Sequence, residues 1–441
     1  MIVTTSVKPI DVLPSLDRHM LVDGYHIVID LEKSHDCVMV DARDGKEFID
    51  FYAFFASLPL GFNHPGMRDP EFLEALKEAS IHKVANSDIY STFMADFVST
   101  FAELGAHPAL NNYFFIDGGA LAVENALKAA FDWKVRKNFA KGYKEEKGLK
   151  VIHFRQAFHG RTGYTMSLTN TDPTKTKYFP QFDWPRVTNP KIQFPLTAEN
   201  LEQVEKQEAL AISEIMNAIK QNKDDIAALI IEPIQGEGGD NHFRGEFLRK
   251  LREITEENEI LFIVDEVQTG VGATGKMWCF ENFGFVPDIV SFGKKLQVCG
   301  IMANDKLNEV DGVFKVSSRI NSTWGANITD MVRSKRILEI IDRENLVENA
   351  AKMGDYLLKC VHEVGAASKT PIANIRGRGL FTAFDLPTQE LRNSVAAKCF
   401  ELGLAVLKSG ELSIRFRPAL TITKKEIDKG ISILSDALSK N

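Results

Sequence analysis

Uninterrupted apolar runs constrain this chain more than any other feature of its sequence. Ala227–Ile231 and Ile260–Val264 contain apolar residues only. A strand with one wet face alternates polar and apolar positions, so runs without alternation predict strands buried on both faces of a largely parallel sheet. Tyr113–Ile116, Val151–Phe154 and Asp288–Phe292 are further candidate strands. Helical patterns at Val123–Val135 and Glu246–Asn258 lie between them, which implies crossover units with helices on both faces. The expected fold class is α/β, with a mostly parallel sheet flanked by helices.

The chain has 441 residues, too many for one small core. We expect an N-terminal segment (1–60), whose candidate strands Val38–Val40 and Glu47–Phe51 join a smaller domain, then a large domain (61–326). A smaller α/β domain (327–441) begins near the helical pattern Ile328–Arg343. The formal net charge of −7 argues against a nucleic-acid partner, because phosphate affinity comes from clustered Lys and Arg. No run approaches the roughly 18 apolar residues of a spanning helix. Met1–Met20 has no apolar leader core, and Cys37, Cys279, Cys299, Cys360 and Cys399 form no CxxC pair. A cytoplasmic protein with reduced thiols and no metal is expected. The polar, lysine-rich Lys141–Lys150 reads as a solvated loop.

Sheets of this kind bind ligands at the carboxyl ends of their strands. There, Ile260–Val264 runs into Asp265, and Asp288–Phe292 runs through Gly293 into Lys294 and Lys295. An aldehyde cofactor needs a lysine amine, and a pyridine ring needs a carboxylate to keep its nitrogen protonated. A third strand end, Ile116-Asp117-Gly118-Gly119-Ala120, opens a helix whose free N–H groups suit a phosphate. Gly270–Gly275 spells GxGxxG, but Asp265–Thr269 separates it from the strand and Lys276–Cys279 starts a helix poorly, so it does not read as a dinucleotide site.

This array resembles the class III (ω-amino acid) aminotransferases, over roughly Asp23 to Ile431. The likeness runs through Gly61–Pro65, Phe158–Thr162, Glu232–Gly239, Asp265–Gly270, Ser322–Gly325 and Ile414–Pro418. The resemblance implies the fold-type I architecture of enzymes that use pyridoxal 5′-phosphate (PLP). It implies Lys294 as the imine-forming lysine and proton carrier, with Lys295 structural. Asp265 would partner the pyridine nitrogen, Val267 and Phe158 would sandwich the ring, and Gln268 would bond the ring hydroxyl. Gly119 and Ala120 would supply backbone phosphate donors. Thr323 would reach the phosphate from a neighbouring subunit, which implies a homodimer with shared sites. Arg161 matches a binder of the distal carboxylate, and Arg415 a binder of the carboxylate beside the reacting carbon. Glu237 matches an acid that can pair with Arg415; the pair reads either as a gate that covers the arginine for one substrate and uncovers it for the other, or as a fixed salt bridge.

Several departures from the common pattern resemble the L-lysine 6-aminotransferase subgroup. These are Gly118–Leu121, Lys295–Gly300, Gly325–Ile328 and Ala273. That likeness implies transfer of the ε-amino group of L-lysine to 2-oxoglutarate, giving 2-aminoadipate 6-semialdehyde and L-glutamate. The rival reading is an ω-aminotransferase acting on 4-aminobutyrate or ornithine.

Overall fold

The computed structural model describes residues 7–440; the first six residues of the N-terminal segment, which the leader reading includes, and Asn441 lie outside the described residues. Sixteen strands are seen among the described residues. In chain order they are β1 (Val38–Val40), β2 (Glu47–Asp50), β3 (Asn112–Ile116), β4 (Lys150–Phe154), β5 (Arg186–Val187), β6 (Ile226–Ile231), β7 (Ile234–Gln235) and β8 (Asn241–His242). They continue as β9 (Leu261–Asp265), β10 (Ile289–Phe292), β11 (Cys299–Ala303), β12 (Ala373–Arg378), β13 (Phe381–Asp385), β14 (Leu404–Ala405), β15 (Leu407–Ser409) and β16 (Ser413–Phe416).

The central sheet has seven strands in the order β3-β11-β10-β9-β6-β4-β5. Its neighbours pair in parallel, except that β11 runs antiparallel to both β10 and β3. Every residue of β6, β9 and β10 is buried, which is why these strands carry no polar alternation. The mostly parallel α/β sheet expected from the apolar runs is the one observed. The reversed β11 was not expected; its Gly300 gives a short run without a strand signature, and a Cβ there would meet the Phe114 carbonyl oxygen at 2.3 Å.

Helices cover the sheet between its strands. Gly119–Ala140 follows β3 and buries Val123, Leu127 and Trp133. Gly245–Glu257 precedes β9 and buries Phe247, Leu248 and Leu251. The Ile328–Arg343 helix starts where the Asn327 side chain accepts the backbone N–H of Thr329, the cap its sequence calls for. Beyond it, β12-β13-β16-β15 form an antiparallel sheet, and β14 joins β1 and β2 in a three-stranded sheet. The lysine-rich stretch is partly tied down, with Lys141 Nζ 2.5 Å from Glu259 Oε1.

Gly270–Gly275 forms turns with positive φ at Val271, Gly272 and Gly275, and the next helical segment, Cys279–Phe283, is a short 3₁₀ turn. No α-helix opens there to receive a phosphate. Among the described residues no helix is long and apolar enough to cross a membrane.

Candidate active site

Five strand ends of the central sheet converge on one cavity of about 580 Å³. β3 leads to Gly119 and Ala120, β4 to Phe158, His159 and Arg161, β6 to Glu232 and Glu237, β9 to Asp265, Val267 and Gln268, and β10 to Lys294. This is where open α/β sheets place ligands. A larger cleft of about 810 Å³ lies along β4 and β5, lined by Arg155, Arg186 and Glu214, and it holds none of these groups.

Lys294 and Lys295 separate here. Lys294 lines the cavity with φ of +44°, a left-handed conformation that costs a non-glycine residue free energy and clusters at functional sites. Burial, with the charge of Arg415, holds its amine below the usual lysine range. Lys295 is buried and donates to the Gln268 carbonyl oxygen at 2.6 Å. Burial pulls it down to about 7.

Asp265 is buried and fixed on both oxygens. Oδ1 accepts from the Val267 N–H at 3.0 Å and the Ser291 hydroxyl at 3.2 Å. Oδ2 lies 2.7 Å from His159 Nδ1. Burial alone would lower the His159 imidazole, but the hydrogen bond and charge of Asp265 outweigh it and raise it. Behind them, burial pushes Glu232 up to about 7, although its carboxylate accepts from the Phe158 and Gly236 N–H groups.

Arg415, on β16, is fully buried and reaches across from the antiparallel sheet. Its Nη2 lies 2.7 Å from Glu237 Oε2, and its Nη1 donates to Gln268 Oε1 at 3.1 Å. Arg417 also donates to Gln268 Oε1, at 3.1 Å from Nη2, and pairs with Asp240 at 2.6 Å. The Gln268 side-chain oxygen is thus committed to two arginines, which leaves its NH₂ as the group able to donate to a ligand oxygen.

Thr323 is exposed and does not line the cavity of its own chain; its carbonyl oxygen accepts from the Ser87 hydroxyl at 3.3 Å. Phe55, Cys299, His159 and Glu232 line the cavity without having been assigned a role from sequence. His159 and Glu232 lie inside quoted motifs, so their position was legible though their contacts were not. Phe55 sits on a turn in which Ala53, Phe54, Phe55 and Ala56 all have positive φ. No sequence pattern announces such a turn.

The aminotransferase class-III family model matches residues 20–438. The chain belongs to the class III aminotransferases. It is 48% identical to the L-lysine-epsilon aminotransferase of Mycobacterium tuberculosis over 425 residues, 96% of this chain and 94% of that protein. It is 46% identical to the L-lysine-epsilon aminotransferase of Streptomyces clavuligerus over 432 residues, 97% of this chain and 94% of that protein. The solved lysine aminotransferase from M. tuberculosis in the internal aldimine form matches with a TM-score of 0.96 at 48% identity, covering 98% of this chain and 99% of that one.

Membership in the class III aminotransferases implies PLP, and the cavity fits such a group. A primary amine, a fixed carboxylate and a helix N-terminus face one space. The Gly119–Ala140 helix begins at Gly118 with no side-chain cap, so its first N–H groups are available to a phosphate. Close packing keeps that corner shaped: a Cβ on Gly160 would come within 2.4 Å of the Ala120 Cβ.

Proposed function

We propose that this chain is an L-lysine 6-aminotransferase. It moves the ε-amino group of L-lysine to 2-oxoglutarate, giving 2-aminoadipate 6-semialdehyde and L-glutamate. The observation that carries this reading is the 2.7 Å pair between Glu237 and the fully buried Arg415 beside Lys294. An arginine suited to an α-carboxylate is covered by an acid, which fits a donor whose reacting amine has no carboxylate next to it. Relatives named for the ε-amine of L-lysine, at 46–48% identity over nearly the whole chain, agree with that donor.

PLP, when bound, supplies the aldehyde that takes up the amino group and the ring that accepts electrons from the carbanion. With such a group held here, Lys294 would take the proton from the ε-carbon of lysine and carry it within the site; burial favours its neutral, basic form. Asp265, held by Val267, Ser291 and His159, would keep the ring nitrogen protonated. Val267 and Phe158 would hold the ring between them, and the Gln268 NH₂ would be the donor for its oxygen. Gly119 and Ala120 offer backbone N–H groups to the phosphate, with Thr323 of a second copy completing that site in a homodimer. Arg161, exposed at the cavity wall, holds the α-carboxylate of lysine and keeps the ε-amine facing Lys294. Glu237 then yields Arg415 to the α-carboxylate of 2-oxoglutarate. Five free cysteines suit a reducing, cytoplasmic setting.

The test is the visible absorbance of the PLP-reconstituted protein. L-lysine alone should bleach the band, 2-oxoglutarate should restore it, and a cyclic piperideine carboxylate should accumulate. Bleaching by 4-aminobutyrate or ornithine, but not by lysine, would reassign the donor to the rival reading. Absence of any band would overturn Lys294 as the cofactor lysine.

A further inference from the structure

Glu237 has two cationic partners, not one. Its Oε2 meets Arg415 Nη2 at 2.7 Å, while its Oε1 meets Lys175 Nζ, also at 2.7 Å. Lys175 ends the short turn Pro173–Lys175, whose start is capped by the Asp172 carboxylate. Its amine also donates to Thr171 Oγ1 at 3.2 Å and stands 5.4 Å from the centroid of the Phe158 ring. Both cations are largely shielded from solvent, with 16% of the Lys175 side chain and 1% of the Arg415 side chain exposed.

The backbone that carries Glu237 is closely packed on both sides. A Cβ at Gly236 would lie 2.1 Å from Gln268 Oε1, and one at Gly238 would lie 2.0 Å from the Gln156 carbonyl oxygen. The Glu237 carbonyl is also held by the Gly410 N–H at 3.0 Å. A side-chain rotation would move its carboxylate without disturbing these contacts. Arg415 has two further partners besides Glu237, Gln268 at 3.1 Å and Asp240 at 3.8 Å, and these would keep it oriented for an incoming carboxylate.

We propose that Lys175 is a positioning residue for the second half-reaction: it anchors the Glu237 carboxylate as the α-carboxylate of 2-oxoglutarate displaces it from Arg415. This rests on the aminotransferase reading of the site. Without Lys175, the displaced carboxylate would stand uncompensated beside the incoming one, and repulsion between like charges in a shielded site is costly. Glu237 would also cling harder to Arg415, its sole remaining strong partner. Both effects oppose the keto acid. Lysine reacts while Glu237 still covers Arg415, so it does not call on the anchor. Burial alone would raise the Glu237 carboxyl, but Arg415 and Lys175 outweigh it and hold it below its usual range, so a charged group is what must be moved.

The test compares the PLP-loaded wild type with Lys175→Met. Single-turnover absorbance gives the apparent dissociation constant of each substrate, and calorimetry gives that of glutarate, an unreactive dicarboxylate. The constants for 2-oxoglutarate and glutarate should rise about tenfold, within the range of ordinary coupling between sites. The constant for L-lysine should move less than twofold, and Lys175→Arg should restore the keto acid. Equal weakening of lysine and keto acid, or no change in either, overturns the proposal. If Lys175→Met does not fold, Lys175→Gln reads the same ratio with the polar reach kept and the charge removed. Failure of the wild type to react with lysine would count against the lysine assignment, whereas a lysine-competent variant with normal glutarate affinity would count against the anchor alone.

Discussion

Lys294 and Lys295 are adjacent in the chain and chemically identical, and the structure gives them opposite surroundings. Lys294 stands at a left-handed backbone position on the cavity wall, whereas Lys295 points into protein and bonds the Gln268 carbonyl oxygen. That burial has a measurable cost. The Lys295 amine falls to about 7 from an ordinary value of 10.5, so between those limits the unfolded chain binds a proton that the folded chain does not. The sign follows from linkage: stability rises with pH wherever the unfolded state holds more protons. Stability should therefore fall as the pH drops from about 10.5 to about 7 and owe nothing further to this group below that. Lys295→Met removes the titration. Denaturant midpoints measured across that range should fall more steeply toward neutral pH in the wild type than in the variant; parallel curves would mean that Lys295 stays charged in the folded protein.

At the scale of elements, the strand-to-helix turn before Gly119–Ala140 controls the proposed phosphate corner. Gly118 has φ of +102°, and a Cβ built on it meets nothing within 4 Å. Gly118→Ala therefore isolates backbone strain from steric clash. The forced left-handed φ should destabilise the fold by about 1–2 kcal/mol and tilt the first N–H groups of the helix, weakening PLP retention. Thermal melts with and without PLP, together with PLP release on dilution, check both effects; an unchanged melt and unchanged retention would place the phosphate elsewhere. The same element shows what was legible in the sequence. Good helix formers behind a glycine turn announced the helix, as apolar runs announced β6 and β9. The reversed β11 was not legible, because a short run with a glycine has no period of its own. Nor were the partners of His159 or Lys175: the Asp265–His159 contact joins residues 106 apart and Lys175–Glu237 joins residues 62 apart. Distance along the chain hides such pairs from any reading by spacing.

At the scale of the whole molecule, the surface around Thr323 is left unexplained by a single copy. Thr323, which the family likeness places on the phosphate, is exposed and away from the cavity of its own chain. Around it lie Trp324 at 43% exposure, Ile89 at 72% and Tyr90 at 75%, with Ser87 tying the two loops together. Large apolar side chains gathered on one surface mark an interaction site. A second copy docking there would bury them and could bring its Thr323 to the first copy's phosphate corner, as the proposed homodimer requires. Sedimentation should therefore give about twice the chain mass of 49.3 kDa. Tyr90→Glu sets a charge on that surface and should shift the population toward monomer, since an unpaired charge buried at an interface is expensive. If shared sites are real, that monomer should also lose PLP faster than the dimer although Lys294, Asp265 and Gly119 are untouched. A wild type that sediments as a single chain and retains its cofactor would instead give every phosphate contact to one copy and leave Thr323 with no part in the site.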